Sequence, residues 1–371
     1  MSVRSAGAAR SRARAPGALL AGLTLLVAVL GTGLAAASGG CGGGSAPAVS
    51  AHPFGTPPEA APGVHAWAAG EIGTLLVTAD GGATWKRQKF FLSERGVDVS
   101  FTDVREGWLV TDAGTVLVTS DGGADWHVVS KAHLQVKGLA ATDARHAWIV
   151  GSTVGVGGGP GSAVVLATAD GGGTWARTGF GDAELAGVAF ADARHGVLIA
   201  LDRIWTTSDG GRRWKPRRQV GLTVLTGVCA GDAQHAWVAG WATKDGAPLV
   251  FATQNGGVSW RRLTVDVPEQ PPGALQTRQI VAGGASRLWI TCPAGVLASD
   301  DAGSTWTLQK VAAGQPQAIA AADERHLVAT TTGQPILATA DGGATWPAWG
   351  QNGLLGQPLV SVAAVAAPAQ Q

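Results

Sequence analysis

An eight-residue motif of the form T-x-D-G-G-x-x-W recurs seven times along the chain, and it limits the fold more than any other feature. Successive motif tryptophans are 41, 49, 39, 46, 46 and 40 residues apart. A period in the forties, with glycine-rich turns between short apolar runs, is typical of four-stranded propeller blades. The seven copies, each called an Asp box below, span Thr78–Trp85, Thr119–Trp126, Thr168–Trp175, Thr207–Trp214, Thr253–Trp260, Ser299–Trp306 and Thr339–Trp346.

Each Asp box has the chemistry of a tight hairpin turn. Asp-Gly and Asn-Gly pairs supply the positive φ angles of such a turn, while the Thr or Ser hydroxyl and the Asp carboxylate can bond the turn's own amides. The tryptophan then packs on its neighbours as the next strand leaves the turn. We therefore predict structural roles for Asp80, Trp85, Asp121, Trp126, Asp170, Trp175, Asp209, Trp214, Asn255, Trp260, Asp301, Trp306, Asp341 and Trp346.

A second repeated element lies upstream of most boxes, as in F-T-D-V-R-E-G-W at 101–108 and A-T-D-A-R-H-A-W at 141–148. We interpret it as strand A, a turn, and strand B, so that each blade reads A, B, C, Asp box, D. Five of the eight histidines recur at this turn. One histidine per blade places them far apart around a ring, which favours turn packing over a metal site. They are His65, His146, His195, His235 and His326.

The two ends of the repeat region complement each other. Val64–Trp67 has the pattern of strand B without a strand A before it, and residues 359–365 have the pattern of strand A. We predict that the C-terminal strand completes the first blade, which removes the exposed edges of an open sheet. The predicted fold is an all-β, seven-bladed β-propeller with four-stranded blades over residues 64–365, followed by a disordered tail at 366–371.

Residues 1–40 have the pattern of an export signal, with four arginines followed by an uncharged apolar run. Three outcomes stay open. Cys41 can be the acylated residue of a bacterial lipoprotein with a flexible tether at 41–62, the signal can be cleaved near Ala35–Ala37, or it can remain as a membrane anchor. Each outcome predicts an extracytoplasmic propeller of the cell envelope, tethered to the membrane at most through its N-terminus.

The boxes resemble the Asp-box or BNR repeats of bacterial sialidases, sortilin-type receptors and certain glycanases. The fuller unit, F-x-D-x-x-x-G-W followed by G-T-x-L-x-T-x-D-G-G-x-T-W, is most similar to the photosystem II assembly and stability factor family. This resemblance covers residues 64–365 and implies a non-enzymatic binding or assembly scaffold. Three features depart from the pattern: Asn255 replaces Asp, Ala302 replaces Gly, and blades 4 and 7 lack the strand-B tryptophan.

Composition narrows the classes of function. The sialidases of this fold use a tyrosine nucleophile, and the chain contains no tyrosine. From Cys41 onward the 27 basic residues fall to 23 against 26 acidic ones, a net charge of −3, which argues against nucleic-acid binding. We expect no cofactor, no metal and no catalytic residue. The alternative is a glycan-binding propeller or a glycoside hydrolase, for which Asp98 in an innermost strand and Asp182 and Glu184 in a loop are the remaining acids.

The densest charge cluster marks a candidate partner surface. It has two interpretations: a docking patch for another envelope or membrane protein, or charges that keep an outermost strand from pairing with other chains. Long segments at 152–162, 241–248 and 265–278 are expected on the face opposite the boxes, where they either bind a partner or vary freely. We expect a monomeric propeller. The cluster comprises Arg212, Arg213, Lys215, Arg217 and Arg218.

The other two cysteines, Cys229 and Cys292, also have two interpretations. They can be small buried residues of separate strands, or a disulfide pair formed in an oxidising compartment. Their spacing does not decide between the two.

Overall fold

The computed structural model describes residues 61–71, 73–88, 93–155, 160–267, 270–271, 273–311, 314–332, 336–349 and 358–367. The predicted export signal, Cys41, most of the predicted tether and the last four residues lie outside the described residues. Within those ranges the regular secondary structure consists of 28 strands. Accordingly, none of the described residues forms an apolar helix long enough to cross a bilayer.

The strands are short and follow each other at tight turns. In chain order they are β1 (Val64–Gly70), β2 (Leu75–Thr78), β3 (Lys86–Arg87), β4 (Gly96–Phe101), β5 (Gly107–Thr111), β6 (Thr115–Thr119), β7 (His127–Lys131), β8 (Gln135–Ala141), β9 (Ala147–Val154), β10 (Pro160–Thr168), β11 (Ala176–Gly179), β12 (Leu185–Phe190), β13 (Gly196–Ala200), β14 (Arg203–Thr207), β15 (Lys215–Gln219), β16 (Thr223–Ala230), β17 (Ala236–Ala242), β18 (Pro248–Thr253), β19 (Arg261–Leu263), β20 (Ile280–Gly283), β21 (Arg287–Cys292), β22 (Gly295–Ser299), β23 (Thr307–Gln309), β24 (Pro316–Ala321), β25 (Leu327–Thr331), β26 (Ile336–Thr339), β27 (Ala348–Trp349) and β28 (Leu359–Ala366).

These strands form seven four-stranded antiparallel sheets, each of which is one blade. Blades 2 to 7 each take four consecutive strands, whereas blade 1 has the order β28-β1-β2-β3. Strand β28 pairs with β1 from Val64↔Ala366 to Gly70↔Leu359. The inner strands contact one another in succession, and β28 contacts both β24 and β4, which closes the ring. The predicted seven-bladed propeller and its closure by the C-terminal strand are confirmed.

The hydrophobic core lies between adjacent blades rather than at one centre. Strands B and C are apolar runs buried on both faces, as in β5 and β13, whereas the outermost strand β15 is mostly exposed. One core layer, for example, joins Trp108 and Val110 of blade 2 to Leu139 and Ile149 of blade 3. Two-sided burial explains why strands B and C read as continuous apolar runs instead of alternating ones.

The Asp boxes form the predicted self-bonded turns. In the first box the Thr78 hydroxyl donates to Asp80 Oδ1 at 2.7 Å and accepts the Gly82 amide at 3.0 Å. The Thr84 amide donates to the same carboxylate at 2.9 Å. In the seventh box the corresponding bonds, although burial opposes them, lower the pKa of Asp341 to about 2. Asn255 makes the same contacts, accepting from Thr253 and from the Ser259 amide at 3.0 Å each.

Four of the five recurring histidines are turn residues, and the prediction is wrong for His65, which belongs to a strand. In each of these four turns, the histidine Nδ1 atom lies 2.8 to 2.9 Å from the carboxylate of the aspartate three residues earlier. The predicted turn packing is confirmed for these four histidines. His65 lies in β1 and stacks on Trp67 with ring centroids 5.9 Å apart. The four pairs are Asp143 with His146, Asp192 with His195, Asp232 with His235, and Asp323 with His326.

The strand-B tryptophans connect blades in a way that the sequence did not indicate. Their rings are buried, and each indole N–H donates to a main-chain carbonyl of the following blade. Four of these carbonyls belong to an Asp box, and the fifth, Asp143, lies in an A–B turn. The bonds run from Trp67 to Gly122 (2.8 Å), Trp108 to Asp143 (3.1 Å), Trp148 to Gly210 (2.9 Å), Trp237 to Ala302 (3.4 Å) and Trp289 to Gly342 (3.0 Å).

The structure corrects or decides three interpretations of the sequence. The segment 152–162 is less of a loop than expected, because β9 continues to Val154 and β10 begins at Pro160. Cys229 and Cys292 are free thiols in strands of neighbouring blades, so the disulfide alternative is not realised. The propeller extends beyond its predicted end at residue 365, because strand β28 ends at Ala366 and the Ala367 amide donates to the Gly63 carbonyl at 2.7 Å.

Candidate functional site

A central channel runs through the ring and is lined by all seven inner strands. Its volume is about 500 Å³. Because each inner strand runs towards its A–B turn, the channel has a turn end, beside the Asp boxes, and a loop end, where the inner strands begin. The turn end is lined by residues such as Ala141, Phe190 and Ala230, whereas Lys137 and Arg278 lie near the loop end. The loop end is therefore the polar part of the channel.

Asp98 lines this channel, as predicted, but its carboxylate is already used. It accepts the Val99 and Leu139 amides at 2.9 Å each and the Ser361 hydroxyl at 2.7 Å. Burial raises the pKa of this carboxyl, while the three hydrogen bonds oppose the shift. Since Leu139 lies in β8 and Ser361 in β28, Asp98 joins three consecutive inner strands at the closure of the ring. Asp98 therefore connects the inner strands of blades 1, 2 and 3 by hydrogen bonds.

A β-bulge recurs at the loop end of the inner strands. The register of the pairing between strands A and B shifts near the start of β4, β8, β12, β16, β24 and β28. A bulge redirects the side chain of the extra residue and often borders functional sites. In β8 the residue at this position is Lys137, which is exposed. The recurring bulge thus places a ring of variable side chains around the loop end.

Arg278 occupies the equivalent position of blade 6. It lies three residues before Val281, which pairs with Trp289, just as Lys137 lies three residues before the partner of Trp148. The Arg278 guanidinium donates to the Pro316 carbonyl at 2.7 Å and to Gln315 Oε1 at 2.9 Å. Both acceptors are neutral. Burial lowers the pKa of this guanidinium.

The predicted basic cluster divides into two parts in the structure. Arg212, Arg213 and Lys215 are exposed, and none of their side chains forms an ion pair within the described residues. By contrast, Arg217 Nε donates to the Thr206 hydroxyl at 2.7 Å. Arg218 donates to the Trp260 carbonyl at 3.1 Å, and its guanidinium lies 4.9 Å from the centre of the Phe251 ring. The Arg217 side chain therefore bonds within blade 4, whereas the Arg218 side chain connects blade 4 to blade 5.

The contact between Arg218 and Trp260 brings a second basic pair beside the first cluster. Arg261 and Arg262 follow Trp260 directly and are exposed in β19. They belong to the outermost strand of blade 5, as Lys215 belongs to that of blade 4. We call the six exposed cations on these two neighbouring blades the basic rim; they are Arg212, Arg213, Lys215, Arg218, Arg261 and Arg262.

The remaining candidate acids lie in loops and turns. Asp182 and Glu184 lie in the loop between β11 and β12, as predicted. The repeated aspartates lie in the Asp boxes and A–B turns, where their carboxylates accept hydrogen bonds from the same turn. Among the described residues, no three His, Cys, Asp or Glu side chains cluster closely enough to hold a metal ion.

The sequence of this chain matches the profile of a known protein family. The sequence profile described as photosynthesis system II assembly factor YCF48 matches residues 89–187 and 223–356, more than half of the chain. The chain belongs to this family. The basic cluster at 212–218 falls in the gap between the two matched ranges, whereas Lys137 and Arg278 fall within them. No curated protein matches the chain in sequence.

Solved structures with the same fold have low sequence identity to this chain. YCF48 bound to a D1 peptide is 17% identical, with 81% of this chain and 88% of that chain covered and a TM-score of 0.54. YCF48 from Cyanidioschyzon merolae is 19% identical, with coverages of 70% and 86% and a TM-score of 0.52. A GH74 xyloglucanase from Xanthomonas campestris is 13% identical, with coverages of 78% and 58% and a TM-score of 0.51. These likenesses establish a shared fold.

Proposed function

We propose that this chain is a non-enzymatic binding and assembly scaffold of the bacterial cell envelope. It is exported by residues 1–40, tethered through Cys41, and docks an acidic segment of a partner protein on its basic rim. The observation that carries this proposal is the set of exposed cations on blades 4 and 5 that lack ion-pair partners in the described part of the chain.

The geometry of the basic rim suits such a partner. Several like charges on one edge produce a positive potential that raises the association rate of an acidic segment. Guanidinium groups also bind carboxylates through two parallel hydrogen bonds, which adds specificity to attraction. The outermost strand of blade 1 carries two cations, Lys86 and Arg87, whereas the segment 212–218 of blade 4 carries five basic residues, which favours docking over protection of a strand edge alone.

Family membership supports a protein ligand. The family is described as an assembly factor, and one structure with the same fold is that of a YCF48 bound to a peptide. We extend this class of ligand to the present chain. The docking surface itself is argued from the chain's own charges, because the cluster at 212–218 lies outside the matched ranges.

The carboxylates give little support to a hydrolytic alternative. Glycoside hydrolysis requires two carboxyl groups about 5 to 10 Å apart, both directed at the sugar. Asp98 accepts three hydrogen bonds within the channel wall, and the repeated aspartates are bonded within their turns. A binding role requires only the exposed charges of the rim.

The test is an affinity capture of the full tethered chain from its native envelope, with captured proteins quantified by mass spectrometry. The test variant is Arg212→Glu with Lys215→Glu. The matched control is Arg145→Glu with Arg194→Glu, which changes the net charge equally on the A–B turns, where neither side chain has a bond partner among the described residues.

We expect the wild-type chain and the control to capture the same stoichiometric partner, and the rim variant to lose it. Added salt should weaken capture, since exposed charges are screened. Capture of the partner by the rim variant at the wild-type level would contradict docking on the rim. Recovery of polysaccharide instead of protein would contradict the scaffold itself.

A further inference from the structure

We infer that the loop end of the central channel is a binding site for a carboxylate ligand, attracted by Lys137 of blade 3 and Arg278 of blade 6. This site is independent of the basic rim, which lies on the outer edge of blades 4 and 5. Both cations line the channel, and each lies three residues before the inner-strand residue that pairs with the strand-B tryptophan of its blade.

Arg278 carries a charge without a counter-ion. Its side chain is partly buried and bonds a main-chain carbonyl and an amide oxygen, both neutral. No described carboxylate forms an ion pair with it. A buried charge is costly unless an opposite charge accompanies it. A guanidinium has five N–H donors, so donors remain after these two bonds, and the unbalanced charge indicates an anionic ligand.

Lys137 supplies the second cation in the same channel. Its side chain is exposed in β8, and its ammonium group makes no hydrogen bond or ion pair with any described residue. Asp98 is the one acid among the described channel-lining residues, and its carboxylate bonds Val99, Leu139 and Ser361 rather than either cation. Neither cation therefore has an anionic partner among the described residues that line the channel.

The shape of the channel indicates the class of ligand. A volume of about 500 Å³ admits a small polycarboxylate or the end of an extended peptide. Both sources present the same chemistry, a carboxylate that can accept from an ammonium or a guanidinium group. The apolar side chains towards the turn end, such as Ala141 and Phe190, offer no comparable partners for charge.

The experiment is isothermal titration calorimetry on the full chain at low ionic strength. The probes are citrate, acetylated penta-alanine with a free C-terminal carboxylate, and the same peptide amidated at its C-terminus. The variant is Lys137→Gln, which removes one charge from a side chain without partners. The matched control is Lys244→Gln, an exposed lysine of the loop between β17 and β18 on the same side of the ring.

We expect citrate or the free-acid peptide to bind the wild-type chain, and Lys137→Gln to weaken that binding about tenfold or more. Lys244→Gln should leave it unchanged, and the thermal midpoint should be the same for all three chains. Binding of the free-acid peptide but not of the amide identifies a peptide C-terminus as the source, and binding of citrate alone identifies a small carboxylate. Absence of binding by both, or equal weakening by the two variants, would overturn the proposal.

Discussion

The turn end and the loop end of this propeller differ in how their residues relate to the repeat. At the turn end, the same Thr, Asp and His side chains recur from blade to blade, and they bond to their own turns. At the loop end, the equivalent bulge position is Val in one blade, Lys in another and Arg in a third. Repeated residues thus build the turns, whereas a position that varies between blades leaves Lys137 without a bond partner among the described residues.

The largest expected effect concerns the closure of the ring. A chain that ends before Pro358 loses β28, which exposes β1 and removes the contacts of β28 with β4 and β24. We expect this chain to lose cooperative thermal unfolding by circular dichroism. A chain that lacks only residues 368–371 is the control and should unfold like the full chain. Cooperative unfolding of the shorter chain would mean that closure is not required.

The strand-B tryptophans come next, because they connect repeated positions of adjacent blades. Trp148→Ala empties a buried site and should lower the free energy of unfolding by about 3–5 kcal/mol. Trp148→Phe keeps most of the ring but loses the bond to the Gly210 carbonyl, at a cost of about 1 kcal/mol. Urea denaturation measures both. Equal losses for the two variants would show that the hydrogen bond, and not the packing, carries the contact.

Asp98 tests whether a channel residue can belong to the fold rather than to binding. Asp98→Ala leaves the Val99 amide, the Leu139 amide and the Ser361 hydroxyl without their acceptor, which should cost about 2–3 kcal/mol of unfolding free energy. Ser361→Ala removes one of these donors and should cost about 1 kcal/mol. A loss below about 0.5 kcal/mol for both, as for an ordinary surface residue, would free Asp98 for chemistry.

Among these, the Asp box gives the smallest effect and a pH signature. Asp341→Ala should cost about 1 kcal/mol, whereas Asp341→Asn should cost less, since Asn255 makes the same turn naturally. The pKa of Asp341 is lowered from 3.8 to about 2. Its contribution to stability is therefore complete above pH 3.8 and is lost as the pH falls through about 2. Urea unfolding of the wild type and of Asp341→Asn, at a pH well above 3.8 and at a pH near 2, measures how the free energy of unfolding of each changes with pH. Identical pH dependences of the two chains would contradict this role of Asp341.

Much of the fold could be predicted from the sequence because its rules are local. Seven turn motifs with a period in the forties determine the blade number, and unmatched strand patterns at Val64 and Leu359 determine the closure. Contacts between blades could not be predicted in this way. The bond from Trp67 to Gly122 spans 55 residues, and that from Asp98 to Ser361 spans 263. No local pattern relates such positions.

Only the local part of the candidate site could be predicted, because the rest depends on contacts between blades. The basic cluster is visible as a run of letters, but the contact of Arg218 with Trp260 of the next blade, and hence the junction with Arg261, depends on the ring. Lys137 and Arg278 are 141 residues apart in sequence, and they become equivalent only when the register with the strand-B tryptophans is known. An alignment of the blades by Trp148 and Trp289 is the sequence signal that could have related them.

A substitution scan over the propeller would separate the two kinds of residue, with two readouts: the amount of folded chain and the capture of the proposed partner. We expect substitutions of the repeated Thr and Asp residues of the Asp boxes, and of the Asp and His residues of the A–B turns, to reduce capture only in proportion to the loss of folded chain. Substitutions in the basic rim should reduce capture while the folded amount stays constant. If substitutions of the repeated Thr, Asp and His residues reduce capture while the folded amount stays constant, the division between repeated and departing residues is contradicted.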